Sequence, residues 1–383
     1  VIQLIKREQK SHFIAYLGSV VASLLTVLFG GLLFYLLGLH PVKTLLVFFV
    51  SPLANLQGVA ELAVKAAPII LCAIGLSFCF RANQWNIGAE GQLFCGAMAA
   101  SAAALFFNTS ESAWVIYVVI LCGVFAGMLW AAIPAFLKVH MQTNEILTSL
   151  MLTYVAYQLL QFLVYGPLKD PTGFGFPESE LFSSATTLPP LMAGTRLHYG
   201  MLLIPVIVIL ASLLLNRHLL GYRVRLIGMA PAAVRYAGFS QKKIIWTVFL
   251  ISGACAGLAG AFEVTGIIGQ LVPSVSPGYG FTAIIVAFLG RLNPIGIFFA
   301  GFAIALTYLG GEVLQIVDTQ ELALSNSGDD IVISRAIGDV LQASVLLFLL
   351  MTEVLTRYRL AWVSGYQSNS SNQSNQNNQA ASS

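Results

Sequence analysis

Charge is what this sequence has least of. Only 9% of its 383 residues are Asp, Glu, Lys or Arg, while 57% are hydrophobic and the mean hydropathy is +0.83. A soluble domain carries about 25% charged and about 45–50% apolar residues, so this chain has too much to bury and too little to keep a surface wet. A soluble enzyme and a nucleic-acid binder are both excluded for the chain as a whole. The net charge of +3 is too slight to mark a basic, partner-seeking protein. Cysteine is scarce as well: Cys72, Cys79, Cys95, Cys122 and Cys255 sit inside apolar runs, without paired or metal-like spacing, and read as small buried hydrophobes. The five histidines are scattered, none at helical i, i+4 spacing, so no metal site is expected. Gly91 to Gly96 has the glycine spacing of a phosphate-binding loop, but Ala97-Met98 stands where Lys and Ser or Thr are needed. The chain therefore carries no ATPase of that kind, and no cofactor is expected.

What is present is apolar sequence in lengths that cross a bilayer. A helical span needs roughly 20 residues, and stretches near 13–39, 61–80, 88–107, 113–137, 146–165, 199–215, 244–268, 279–290, 294–317 and 338–356 qualify or nearly qualify. The segment 279–290 is short and bounded by glycine, as a half-span or part of a re-entrant hairpin would be, and 42–55 reads as a further partial helix too short to cross. The fold class is thus all-α, a polytopic membrane protein of about ten helices. Residues 1–12 form the N-terminal segment, 13–360 the membrane domain, and 364–383, built of Ser, Asn and Gln, a disordered tail. Lys6, Arg7 and Lys10 precede the first run, which is too long for a signal peptide and reads as a first span. Ten crossings put both termini on one side. Of the 19 Lys and Arg, only Lys43, Lys65, Lys169, Arg196 and Arg335 then fall on the other side, so the termini are expected in the cytoplasm.

Two loops stand out. Residues 166–198, rich in Pro and Gly, lie on the outer side and are large enough to meet a partner. On the inner side, Gly228 to Gly238 places Pro231 at a first helical turn and Gly238 as terminator, predicting a helix of about two turns with Ala230, Ala233 and Ala237 on one face. Gly123-x-x-x-Gly127 and Gly253-x-x-x-Gly257 let backbones approach closely, within the chain or at a subunit interface. Glu263 and Glu312 lie inside the apolar runs, either facing a cavity beside their neighbouring glycines or solvated at a helix end. The run Phe80 to Gln92 is too rich in Asn, Gln and Gly for an ordinary turn, and describes either a pathway-lining segment or a plain loop.

That run, together with Thr143-Asn144-Glu145-Ile146, Gly228 through Gly238, Ser276-Pro277-Gly278-Tyr279-Gly280-Phe281-Thr282 and Gly290-Arg291-Leu292-Asn293-Pro294, resembles one family. It is similar to the membrane permease of bacterial ABC importers in the ribose, simple-sugar and nucleoside branch, most of all the nucleoside permeases served by basic-membrane-protein lipoproteins. The resemblance covers about residues 13–360 and implies a set of partners: an ABC ATPase subunit, a second homologous permease, an extracytoplasmic solute-binding lipoprotein and membrane lipid, with no nucleic acid. It implies inward translocation of a nucleoside or related sugar-containing solute across a bacterial inner membrane, and it implies that residues about 228–240 are the coupling helix, with Gly228, Pro231, Ala233, Arg235 and Gly238 meeting the ATPase. Amide side chains suit sugar edges and aromatic faces suit bases, so Asn83, Asn86, Glu90, Gln92, Tyr279 and Phe281 are the pathway candidates. A secondary transporter would need a proton relay through Glu263 or Glu312 and an internal repeat; a membrane enzyme would need a catalytic cluster. The sequence carries neither a convincing repeat nor such a cluster.

Overall fold

The computed structural model describes residues 2–6, 12–173, 175–316 and 336–362. The polar tail 364–383 lies outside them, as do Arg7, Lys10 and Arg335. The chain divides into two units, Val1–Leu33 with Ala343–Ser383, and Phe34–Gln342. In the first, strands β1 (Ile2–Lys6) and β2 (Tyr358–Trp362) pair antiparallel, a short departure from the all-helical expectation. Phe29 and Phe348 meet edge to face at 6.2 Å within the same unit.

In chain order the helices are α1 (His12–Leu36), α2 (Pro41–Val50), α3 (Leu56–Arg81), α4 (Ala89–Phe106), α5 (Val115–Met141), α6 (Glu145–Tyr165), α7 (Leu203–Asn216), α8 (Leu219–Met229), α9 (Pro231–Tyr236), α10 (Gln241–Phe262), α11 (Tyr279–Leu289), α12 (Pro294–Ile316) and α13 (Ala336–Arg357). Among the described residues seven segments are long and apolar enough to cross a membrane: α3, α4, α5, α6, α7 with the turn before it, α10 with its extension to Ile268, and α12. Shorter apolar stretches lie in α1, α2, α11 and α13. The protein is a multi-pass, helical membrane protein. At 1.5 Å per residue the 11 residues of α11 reach only about 16 Å, too short to cross a bilayer.

The core of the second unit is α3, α4, α5 and α10. α3 is buried without interruption from Ala66 to Phe80, whereas α5 and α6 expose one apolar face each, including Phe125, Leu129, Tyr154 and Phe162. Glycine sets the spacing of this core. The small residues of α5 and α10 face each other, since a Cβ on Gly257 would lie 2.5 Å from the Gly123 carbonyl oxygen and one on Gly127 would meet the Gly253 carbonyl. α4 joins the same seam: a Cβ on Gly96 would lie 2.5 Å from the Gly257 Cα. Both expected glycine pairs are therefore spent on packing within the chain. Backbones this close gain dispersion contacts that larger side chains would forbid.

Two loops cap opposite ends of α3. Arg196 of the 166–198 loop pairs with Glu61 in the first turns of α3, whereas Gly228 at the end of α8 packs against the carbonyl of Arg81 at its last residue. Glu61 and Arg81 are about 30 Å apart along the helix axis, the thickness of a hydrocarbon core. The two loops thus lie at opposite ends of a helix long enough to cross a membrane.

A methyl group at the seam has nowhere to go, because what it meets is backbone. Overpacking of this kind costs about 1–3 kcal/mol or more. Gly257→Ala is expected to lower the apparent melting temperature of the purified protein, measured by size-exclusion after heating, while Phe125→Ala on the exposed face of α5 leaves it nearly unchanged.

Candidate functional site

Between α3 and α4 the backbone leaves the helix for residues 83–88 and must find partners for its polar groups inside the protein. Asn86, fully buried, supplies them. Its Oδ1 accepts from the Gly88 N–H at 2.9 Å, and its Nδ2 donates to the Ser252 hydroxyl of α10 at 3.0 Å and to Gln92 Oε1 at 3.3 Å. The Ile87 N–H donates to the Ser149 hydroxyl of α6 at 3.0 Å. Gln92, also buried, returns a bond to Asn86. This amide pair is a buried fastener for a broken backbone.

Glu90, 2% exposed in the first turn of α4, reaches across to the start of α11. Its Oε2 accepts the Gly280 N–H, and the Ser276 hydroxyl beside it takes the Gly278 and Tyr279 N–H groups at 3.2 and 3.0 Å. A Cβ on Gly280 would strike the backbone of Glu90, so glycine is what allows the approach. The carboxylate sits where α11 presents unpaired N–H groups, which a negative charge stabilises. Gly278, at φ +101, turns the chain into that helix.

The other pathway candidates lie apart from this centre. Asn83 is exposed, in a left-handed turn at φ 53, beyond the Arg81 end of α3. Tyr279 is buried edge to face against Tyr308 at 5.9 Å, while Phe281 points outward and is exposed. The structure therefore joins Asn86 with Gln92, and Glu90 with the backbone between Tyr279 and Phe281. Ser149, Ser252, Ser276 and Gly278 belong to the same arrangement. Ser276 and Gly278 belong to a run the sequence already singled out, whereas Ser149 and Ser252 escaped notice because a lone serine in an apolar run carries no signal until its partner is known.

α10 ends in a π-helical turn, Glu263–Ile268, closed by Gly269 at φ +79. The 166–198 loop folds down on this end. Its Leu188 N–H donates to the Thr265 carbonyl at 2.9 Å, Phe182 N–H to Gly269 at 2.9 Å and Ser179 N–H to Leu271 at 3.0 Å. Asn108, after α4, ties the loop from the other side by accepting from the Ser183 N–H at 2.7 Å. The loop is thus a docked cover. Glu263 is buried, and its Oε2 has no hydrogen-bond partner among the described residues. Glu312 is paired with Lys65 at 2.8 Å.

At the other face α9 is short, and its closure is fully specified. Pro231 opens it, Gly238 at φ +73 ends it, and the Phe239 N–H bonds the Val234 carbonyl at 3.0 Å, the long bond of a Schellman motif. Val234 is fully buried and anchors the segment, and Arg223 lies over the Phe239 ring at 4.7 Å. The exposed surface is Met229, 79% exposed, and Tyr236, 95% exposed, with Ala232 and Ala237 beside them. Ala230 and Ala233 are half-buried, so the small-residue face is only partly free; the Arg235 side chain lies outside the described residues.

The sequence pattern of the branched-chain amino acid transport system permease component matches residues 58–350. The chain belongs to this permease family. It is an ABC transporter permease, a non-catalytic component. Among its relatives, the glucose ABC transporter permease protein TsgB13 of Haloferax volcanii is 34% identical over 94% of this chain and 93% of its own length. The guanosine ABC transporter permease protein NupP of Bacillus subtilis is 31% identical over 66% of this chain and 72% of its own. The nucleoside ABC transporter permease protein NupB of Lactococcus lactis is 26% identical over 76% of this chain and 82% of its own.

One further group of this permease is set by burial. His198 closes the outer loop, 1% exposed, edge-on to Phe262 at 5.5 Å, with both ring nitrogens unpartnered among the described residues. Burial lowers its pKa from the ordinary 6.5 to about 4. The folded state holds the neutral ring, so its contribution to stability is complete above pH 6.5 and is lost as the pH falls toward 4, about 3 kcal/mol in all. The melting temperature of the detergent-purified permease is expected to fall between pH 6.5 and 5, and His198→Phe to flatten that arm. Separately, Glu90→Ala strands the Gly280 N–H of α11 and is expected to cost about 1–3 kcal/mol, with Glu90→Gln, which keeps an acceptor, losing less in the same melt.

Proposed function

We propose that this permease carries a nucleoside or related sugar-containing solute inward, driven by ATP bound and hydrolysed on a separate ATPase subunit. The observation that carries the reading is the closed α9 turn at the end of α3 opposite the docked loop, with Tyr236 and Met229 presented outward. The names of the relatives, which act on glucose, guanosine and nucleosides, support the solute class. The basic residues gather at the α9 face, among them Arg81, Lys138, Arg217, Arg225, Lys242 and Arg291. This supports placing that face and both termini in the cytoplasm, with about ten crossings in all. The membrane is then the cytoplasmic membrane of a prokaryote, the 166–198 loop faces outward, and a solute-binding lipoprotein docks there. A second permease of the same family completes the pathway between two subunits.

Mechanically, α9 transmits the closure of the ATPase halves. Gly228 abuts the α3 backbone, so a push on α9 is delivered to the most buried helix of the core. A two-state bundle biased in this way changes the side to which its cavity opens. The residues Gly228, Pro231, Ala233, Arg235 and Gly238 form the docking segment, and Tyr236 joins them as its most exposed side chain.

A proton-coupled carrier is the second reading, and Glu263 is its foothold, a buried carboxylate with an unpartnered oxygen in a membrane helix. Vesicles containing the permease with its ATPase distinguish the two: solute entry is expected to require ATP and to persist with an uncoupler, and entry that collapses with the uncoupler while ATP remains overturns the importer reading. Tyr236→Asp and Gly238→Trp are expected to leave the permease folded and to reduce ATP-driven entry at least fivefold. Survival of both transport and stimulated ATPase activity in Gly238→Trp would remove α9 from the coupling role.

A further inference from the structure

A cavity of about 1120 Å³ opens beneath the docked outer loop, between the α4–α5 connection, the first turns of α5, the loop and the ends of α7 and α10. Its lining changes character with depth. Ile116 and Ile120, one turn apart on α5, and the buried Phe262 make an apolar floor, while Leu203, Tyr117 and Tyr199, all exposed, add apolar and aromatic flanks. The rim is polar, with Thr109, Ser110, Glu111, Ser184 and Thr187. Asn108 is spent on holding the loop. The side chains of Thr109, Glu111, Ser184, Tyr117 and Tyr199 make no hydrogen bond to another described residue, which leaves their polar atoms for a ligand. Among the described residues no Lys or Arg lines the cavity, and its single charge is the Glu111 carboxylate.

Each part of this lining selects. A carboxylate without a cation repels phosphate and other anions. Hydroxyls and a carboxylate at the rim satisfy the donors and acceptors of a polyhydroxylated ring. An apolar, aromatic floor is wasted on a free sugar, which is polar all round, but matches the face of a planar ring system. We propose that this cavity is an outer solute site that seats a neutral nucleoside, base against Phe262 and the tyrosines, ribose toward Ser184 and Glu111. The proposal rests on the importer reading for its place on the outer face. It narrows the solute from any sugar-containing molecule to an unphosphorylated one with an apolar ring.

The test uses the full-length permease in lipid nanodiscs, without a binding protein, and tritiated inosine as the probe. Saturable inosine binding is expected, with unlabelled ribose competing at least tenfold more weakly and inosine 5′-monophosphate not competing at a hundredfold excess. Ser184 is exposed at the rim, so Ser184→Phe fills the cavity without entering the core and is expected to weaken inosine binding at least tenfold at an unchanged melting temperature. Glu111→Lys is expected to admit the monophosphate as a competitor, a gain that misfolding does not produce. Absence of saturable inosine binding, equal competition by the monophosphate in wild type, or binding unaffected by Ser184→Phe overturns the proposal. Uptake in cells carrying the intact transporter is measured in parallel. ATP-driven uptake beside Ser184-independent binding sinks the site alone, whereas Ser184-dependent binding without ATP-driven uptake sinks the importer reading and leaves the site standing.

Discussion

Backbone that leaves a helix inside a bilayer has no water to turn to, and an unpaired N–H or carbonyl there costs several kcal/mol. This constraint organises the permease. The chain breaks helical geometry between α3 and α4, at the π turn that ends α10, and ahead of α11. Each break is answered by a specific partner: Asn86 with Ser149, the amides of the outer loop, and Glu90 with Ser276. Polar residues that an apolar chain could ill tolerate are concentrated where the backbone needs them.

The glycine seam makes these bonds possible. α4, α5 and α10 stand close enough that side chains as short as Asn and Ser span from one element to the next, as Asn86 does to Ser252 at 3.0 Å. A seam of backbone on backbone also deforms little, because no long side chain can change rotamer to absorb a shift. Force applied at one end of such a layer arrives at the other as displacement rather than local rearrangement. The ends of that layer are where the docked loop and the α9 turn sit.

Much of this was legible beforehand. Span positions follow from apolar length, and Pro231 and Gly238 bracket α9 as their conformational preferences dictate. The seam glycines were recognisable as close-approach residues, but not their partners, since spacing along one helix does not say which helix it meets. The pathway candidates show the converse. Asn86, Glu90 and Gln92 were noticed because polarity at membrane depth is unusual, and the structure occupies all three with bonds inside the protein. The composition of a segment that lines water and of one that pairs with broken backbone is the same, and only geometry separates them. The exposed Tyr236 was passed over for the opposite reason: on a short helix next to alanines, one tyrosine gives no periodicity to read.

The bond between Glu90 and Gly280 spans 190 residues of sequence. At a synthesis rate of about 5–20 residues per second, the carboxylate is made between about 10 and 40 s before its donors exist. During that interval α4 has left the ribosome with an acid in its first turn and nothing to neutralise it. The early half of the permease therefore cannot make this bond until α11 is synthesised. No fragment ending before Gly278 contains the Gly280 N–H that this carboxylate accepts.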